Sequence, residues 1–280
     1  AGMAFVGNRI EYGLSFFNPI REYTVSGAAT HLSLGTEESD RSLFVVPYIG
    51  FNKMLSSKNS LGVSVFGNGG MNTDYDAHTY PGVGSSRHTG IDFSQLFIAP
   101  TYSLKVTNDH AFGISIIGAY QTFEAMGLGA FAGLSNDSGN LTDRTHSNSF
   151  GYGARIGYYG KILPGLSFGA SYQTRTYMNN FDEYAGLFAE KGDFDIPSNW
   201  NIGIAYQAVP SLTLVADMQQ INYSEVDAVA NKFNPAFNNC NAGIRSSCLG
   251  GDNGIGFGWD DMTIYKFGIQ WKSSPEWTWR

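Results

Sequence analysis

No apolar run in this 280-residue chain reaches the roughly 18 residues a membrane-spanning helix needs, so any passage through a bilayer must be made by strands. Basic residues are few: 17 Lys and Arg against 24 Asp and Glu leave a net charge of -7 and no basic stripe, which excludes a nucleic-acid partner. Cysteine is scarcer still. Cys240 and Cys248 share one polar loop, which suits an oxidising compartment and one short-range disulfide, with a reduced pair as the alternative. The histidines, His31, His78, His88, His110 and His146, fall in predicted loops or turns, and none has the spacing of paired metal ligands. His146 beside Ser147 and Ser149 is the nearest approach to a hydrolytic Ser–His pair. Gly254-Ile255-Gly256 lacks the strand-to-helix turn of a phosphate-binding loop. The pattern therefore predicts no catalysis, no metal and no cofactor.

Glycine and aromatic residues are abundant, with 35 Gly and 15% Phe, Tyr and Trp. They are set in an alternating pattern. Trp200, Ile202, Ile204 and Tyr206 alternate with Asn201, Gly203, Ala205 and Gln207, and after the turn at Pro210 the same period resumes from Leu212. Successive side chains on a strand face opposite sides, so this is a hairpin with one apolar and one small or polar face. Similar alternation predicts strands over 9–23, 43–54, 61–67, 93–106, 111–123, 150–161, 166–178, 200–208, 212–223 and 262–272, with a stub at Trp277.

Short and long connections alternate between these eleven segments. The long ones cover 26–42, 71–91, 124–147, 179–199 and 224–261. A soluble sandwich has no reason to sort its loops by end, whereas an outer-membrane barrel does, with short periplasmic turns and long outer loops. The fold class expected is all-β: a single antiparallel transmembrane β-barrel domain over 1–280, apolar faces toward lipid and polar faces toward a lumen. Eleven strands cannot close an even-stranded barrel, the chain opens without a charged and then apolar leader, and Trp279-Arg280 breaks off inside a strand. An incomplete chain is the expectation.

Four stretches carry a family likeness: FEAMGLGAFAGLSNDSGNLT over 123–142, YAGLFAEKGDFDIP over 184–197, DMQQINY over 217–223 and GIGFGWDDMTIYKFGIQWK over 254–272. They resemble, in order, segments of the FadL-like outer-membrane transporters of long-chain fatty acids and other hydrophobic compounds (the OmpP1/FadL/TodX group). The resemblance implies a fourteen-stranded barrel, a hatch in the lumen, and a kinked third strand opening sideways into the membrane. It implies passive uptake by loop capture, lumen transfer and lateral exit. The hatch and the last strands have no counterpart here. The implied partners are a long-chain fatty acid or hydrocarbon and the surrounding lipid and lipopolysaccharide, and a monomer is expected in the bacterial outer membrane.

Candidate residues follow from these two readings. Met126, Leu128, Phe131 and Leu134 form an apolar cluster in an outer loop, suited to first capture or to packing the loop on the barrel. Arg155, Arg175 and Lys266, with Arg9 lower down, are lumen cations that could take a carboxylate head or pair with Glu11 and Asp217. Phe97 and Ile117, with Phe17 and Phe66, face inward to line a tail's path or pack against a plug. Gly67, Gly69 and Gly70 mark either the lateral opening or merely the start of the loop at Met71. Two other functions compete: a surface barrel working through its loops as adhesin or phage receptor, and a general porin.

Overall fold

A computed structural model of the chain describes residues 1–27, 34–80 and 88–280; His31 lies outside them. The alternating segments form one antiparallel wall. Its members are β1 (Arg9–Phe17), β4 (Phe44–Met54), β5 (Asn59–Tyr75), β6 (Thr89–Lys105), β7 (His110–Met126), β8 (Ser147–Leu163), β9 (Leu166–Gln173), β11 (Asn199–Val209), β12 (Leu212–Ile221), β13 (Met262–Lys272) and β14 (Thr278–Trp279), in that spatial order. A two-residue strand, β10 (Tyr177–Met178), pairs with β8, and a separate hairpin is made by β2 (Glu22–Val25) and β3 (Gly35–Glu38). Among the described residues β1 and β14 each pair on one side only.

The faces sort as the alternation requires. Tyr12 is 80% exposed and Phe267 82%, and Ile10, Leu14, Phe16, Ile114, Ile116 and Ile204 stand out on the same outer surface. Gln173 is buried on the inner face, while Lys266 is inward by register, opposite Asp217. Such an apolar outside, on strands whose inner faces are small and polar away from β6 and β7, is the arrangement of a membrane barrel. Connections at one end are short (55–58, 106–109, 164–165, 210–211) and at the other long (18–43, 76–88, 127–146, 174–198, 222–261).

Several strands differ from the expected bounds, and three of the differences shape the site. β1 stops at Phe17 because Asn18-Pro19 breaks the ladder, and Glu22–Val25 joins the outer hairpin instead. β5 does not end at Gly67: it continues to Tyr75, paired with β6 throughout, so the glycines lie within a strand and Met71 sits opposite Phe93. β9 ends at Gln173, because one extra residue at 174–176 turns the chain inward before Tyr177 rejoins β8.

That inward turn builds the core. The outer loop from 179 to 198 folds back into the barrel mouth, and Phe181, Tyr184, Phe188 and Phe194 pack on Phe93 and Phe123 of β6 and β7, joined by Val226 and Val229. Ring pairs at 4.6–6.1 Å, mostly edge-on or tilted, knit this cluster. A second cluster lies next to it: Phe97, Ile117 and Ala119 beneath Met178 and Ile196, with Phe66 alongside. At the opposite end the turn Gly2–Phe5 lies against the inner wall, where Asn52 Nδ2 donates to the carbonyls of Met3 and Gly7 at 2.9 and 2.7 Å.

Candidate functional site: a cleft in the wall and a latched plug

β4 and β5 pair from Met54↔Ser60 up to Tyr48↔Phe66 and no further, although both strands run on. Above that point Phe44, Val45, Val46 and Pro47 pair only with β1, and Gly67 to Tyr75 only with β6. The divergence begins at a bulge. Between Gly67, opposite Leu96, and Gly69, opposite Gln95, Asn68 is the extra residue, and the inward set passes from Phe66 to Gly69 and Met71. A bulge bends its strand and increases the local twist. A side chain at Gly67 would put its Cβ 2.9 Å from Val46 Cγ1, so glycine permits the close approach at the foot of the gap.

Between the diverging strands is a cleft of about 650 Å³. Its lining includes Phe17, Phe44, Val46, Met71 and Phe93 from the inner face and Val45, Leu96 and Tyr120 from the outer face. The cleft therefore extends through the thickness of the wall. Asn68 Nδ2 donates to Gln95 Oε1 at 3.0 Å across the bulge.

The plug is fastened by charge. Along Asp193–Ile196, Phe194 enters one apolar cluster and Ile196 the other, while the alternate residues Asp193 and Asp195 meet Arg175. Arg175 Nε donates to Asp195 Oδ2 at 2.6 Å, Nη2 reaches Asp193 Oδ2 at 3.4 Å, and Nη1 donates to the carbonyl of Glu225. Asp195 also accepts from Met178 N at 2.6 Å, and Thr176 and Ile196 exchange backbone hydrogen bonds of 2.8 and 3.1 Å. Burial, and then the charge of Asp195, push the Asp193 carboxyl up to about 7 against the pull of Arg175. Burial likewise raises the Tyr184 phenol to about 12; its oxygen accepts from Ala125 N at 3.1 Å and donates to the carbonyl of Arg144 at 3.0 Å.

The structure scatters the remaining candidates. Met126 ends β7, and with Leu128, Phe131 and Leu134 it is half-buried, so the loop cluster is less open than its sequence suggests. Leu128 packs against the aromatic core, Phe131 meets the Tyr80 ring at 5.0 Å, and Leu134 O accepts from Leu249 N at 2.9 Å. That last bond ties the loop to the one holding Cys240 and Cys248, which are joined as a disulfide. Phe97 and Ile117 face inward as their register requires, but both have no exposed surface, so in this conformation they support the plug instead of lining an open path. Arg175 is committed to the latch and is not a free lumen cation. Arg155 donates from Nε and Nη2 to Gln173 Oε1, and Lys266 Nζ donates to Gln219 Oε1 at 2.9 Å. Arg9 pairs with Glu11 at 3.0 Å. Sequence reasoning missed the latch: the alternation of Asp193, Phe194, Asp195 and Ile196 was its signal, in a stretch assigned to a loop.

Among solved structures the chain is similar to the Pseudomonas putida toluene transporter TodX (TM-score 0.69, 16% identity, covering 97% of this chain and 73% of that one). It is also similar to the Ralstonia pickettii toluene transporter TbuX (0.65, 15%, 98% and 76%) and to a Pseudomonas aeruginosa FadL homologue (0.64, 16%, 99% and 72%). At these identities the likeness establishes the fold: a FadL-type β-barrel. No curated protein matches the chain. The family model for outer-membrane transport proteins (OMPP1/FadL/TodX) matches residues 3–280, and the chain belongs to that family of Gram-negative outer-membrane barrels.

Proposed function

We propose that this protein carries hydrophobic compounds, long-chain fatty acids or hydrocarbons, across the outer membrane and releases them sideways through the cleft between β4 and β5. The observation that carries the reading is the ladder that stops at Tyr48↔Phe66 while both strands continue. A molecule with an apolar body gains by moving from the barrel interior into hydrocarbon, at about 25 cal/mol per Å² kept from water. The cleft offers Phe17, Phe44, Val46, Met71 and Phe93 along that way. Capture would begin at Met126, Leu128, Phe131 and Leu134, where apolar side chains reach the surface half-covered. Passage through the mouth then requires the latched segment around Phe194 and Ile196 to shift. A general porin fits poorly with a mouth closed by an aromatic core.

A staple across the cleft tests the route. Val46→Cys with Gly67→Cys brings two thiols within bridging reach, since the Gly67 Cβ position is 2.9 Å from Val46 Cγ1. Under oxidising conditions uptake of labelled oleate and toluene should fall to the level of cells lacking the protein, and reductant should restore it. The unsubstituted protein in the same reductant controls for the Cys240–Cys248 bridge. Full uptake through the oxidised staple would refute lateral release.

A further inference from the structure

At the loop end of the cleft lies a cation that the sequence patterning did not single out. After β1, Asn18-Pro19 turns the chain so that Arg21 lines the cleft, its guanidinium carbon 5.3 Å from the centre of the Phe44 ring. Nη2 donates to the carbonyl of Arg41, while Nε is out of water and hydrogen-bonds nothing. Among the described residues no carboxylate lies within ion-pair distance of Arg21: Arg41 takes Asp74 at 3.9 Å, Arg9 takes Glu11, and Arg175 takes Asp193 and Asp195. A buried donor without an acceptor is costly, and a cation without a counter-ion at the end of an apolar cleft makes the site attractive to an anion. Phe44 and Phe17, next along the cleft, offer nothing polar to compete.

Resting on the lateral route, we propose that Arg21 is a specificity-determining residue: it receives the anionic head of a long-chain carboxylate whose alkyl tail lies in the cleft between β4 and β5. The head stays at the loop end, near water, and the Arg21 guanidinium, which lines the cleft there, supplies one charge-assisted hydrogen bond to it. The tail lies along Phe44, Val46 and Met71 toward the outer face. A neutral hydrocarbon uses the same cleft but presents no acceptor, so its passage does not depend on Arg21.

Initial-rate uptake of labelled oleate and of its methyl ester, in cells producing the protein with Arg21→Met, tests this. One charge-assisted hydrogen bond predicts a loss of about tenfold or more for oleate below saturation, with methyl oleate unchanged and Arg21→Lys recovering part of the loss. If Arg21→Met fails to reach the membrane, Arg21→Gln replaces it, since it also lacks the charge. Unchanged oleate uptake overturns the assignment, as does an equal fall for acid and ester, which would make Arg21 a structural residue. Loss of a co-purifying phospholipid with oleate uptake intact would give the site to a resident lipid and also overturn it. The staple separates this result from the route: a staple that blocks both substrates beside an Arg21→Met protein with normal oleate uptake leaves lateral release standing and removes only Arg21.

Discussion

Replacing Arg175 with methionine keeps a long apolar stem and removes the charge that two carboxylates share. Asp195, whose side chain is 4% exposed, is left with Met178 N, and Asp193, 14% exposed, is left facing Asp195. Removing one partner of a buried ion pair costs about 3–5 kcal/mol, since the survivor remains charged and out of water. The cost depends on pH, and its sign follows from Asp193. Its folded value, about 7, is above its ordinary 3.8, so the folded loop binds the proton more tightly than the unfolded chain does. Stability from this group is complete below pH 3.8 and is lost progressively as pH rises to about 7. Without Arg175 the carboxyl moves higher still. At pH 5 a protonated Asp193 relieves the repulsion, whereas at pH 8 the variant meets more of the cost.

Hydrogen exchange at the Thr176 and Ile196 amides, which pair with each other, reports the opening of this segment directly. In detergent-solubilised protein, Arg175→Met should lower their protection factors at pH 8 by roughly a hundredfold to a thousandfold, and by less at pH 5. Protection unchanged at pH 8, or reduced equally at both values, would show that Arg175 does not hold the plug through its charge.

Two further substitutions test the wall and the core. Phe267→Arg puts a charge on the lipid face at a side chain 82% exposed and should cost about 2–4 kcal/mol if it lies near the bilayer midplane, read from urea unfolding in vesicles. Lys266→Met, one residue away on the lumen face, should change the midpoint little. Phe123→Ala removes a ring 1% exposed that meets Tyr184 and Phe188 at 4.8 Å each, and should cost about 3–5 kcal/mol, with loss of near-ultraviolet circular dichroism.

The wall was legible because a barrel repeats one rule. Ile202, Ile204 and Tyr206 had to share a face, and the alternation of short and long connections turned that face toward lipid. The glycines at 67–70 interrupt the alternation, which leaves a bulge and a loop start open; their continuation as strand to Tyr75 depends on pairing with β6, a long-range partner that local alternation does not reveal. The plug was illegible for the opposite reason. Phe181, Phe188 and Phe194 look like ordinary loop aromatics until the chain returns through the mouth onto Phe93 and Phe123. The alternation makes Arg175 a lumen cation, but its partners lie 18 and 20 residues on, in a segment with too short an alternation to be assigned as strand.

The two departures from regular pairing differ in a way that bears on the proposed route. In hydrocarbon each unpaired backbone group costs several kcal/mol, so a barrel has every reason to close its ladders. At 174–176 the extra residue is compensated at once: Thr176 pairs with Ile196, and Arg175 with Asp195. Between β4 and β5 the gap is bridged only at its loop end, where Asp40 N donates to the Asp74 carbonyl at 2.8 Å and Asp74 N to Ser39 Oγ at 3.1 Å. Below that, Pro47 presents no N–H at the level where pairing stops, and Asn68 Nδ2 donates to Gln95 Oε1 across the bulge. An irregularity filled by the chain's own side chains fastens something in place. One of about 650 Å³, with its cost reduced by proline and glycine and its lining reaching from inner to outer face, supports passage.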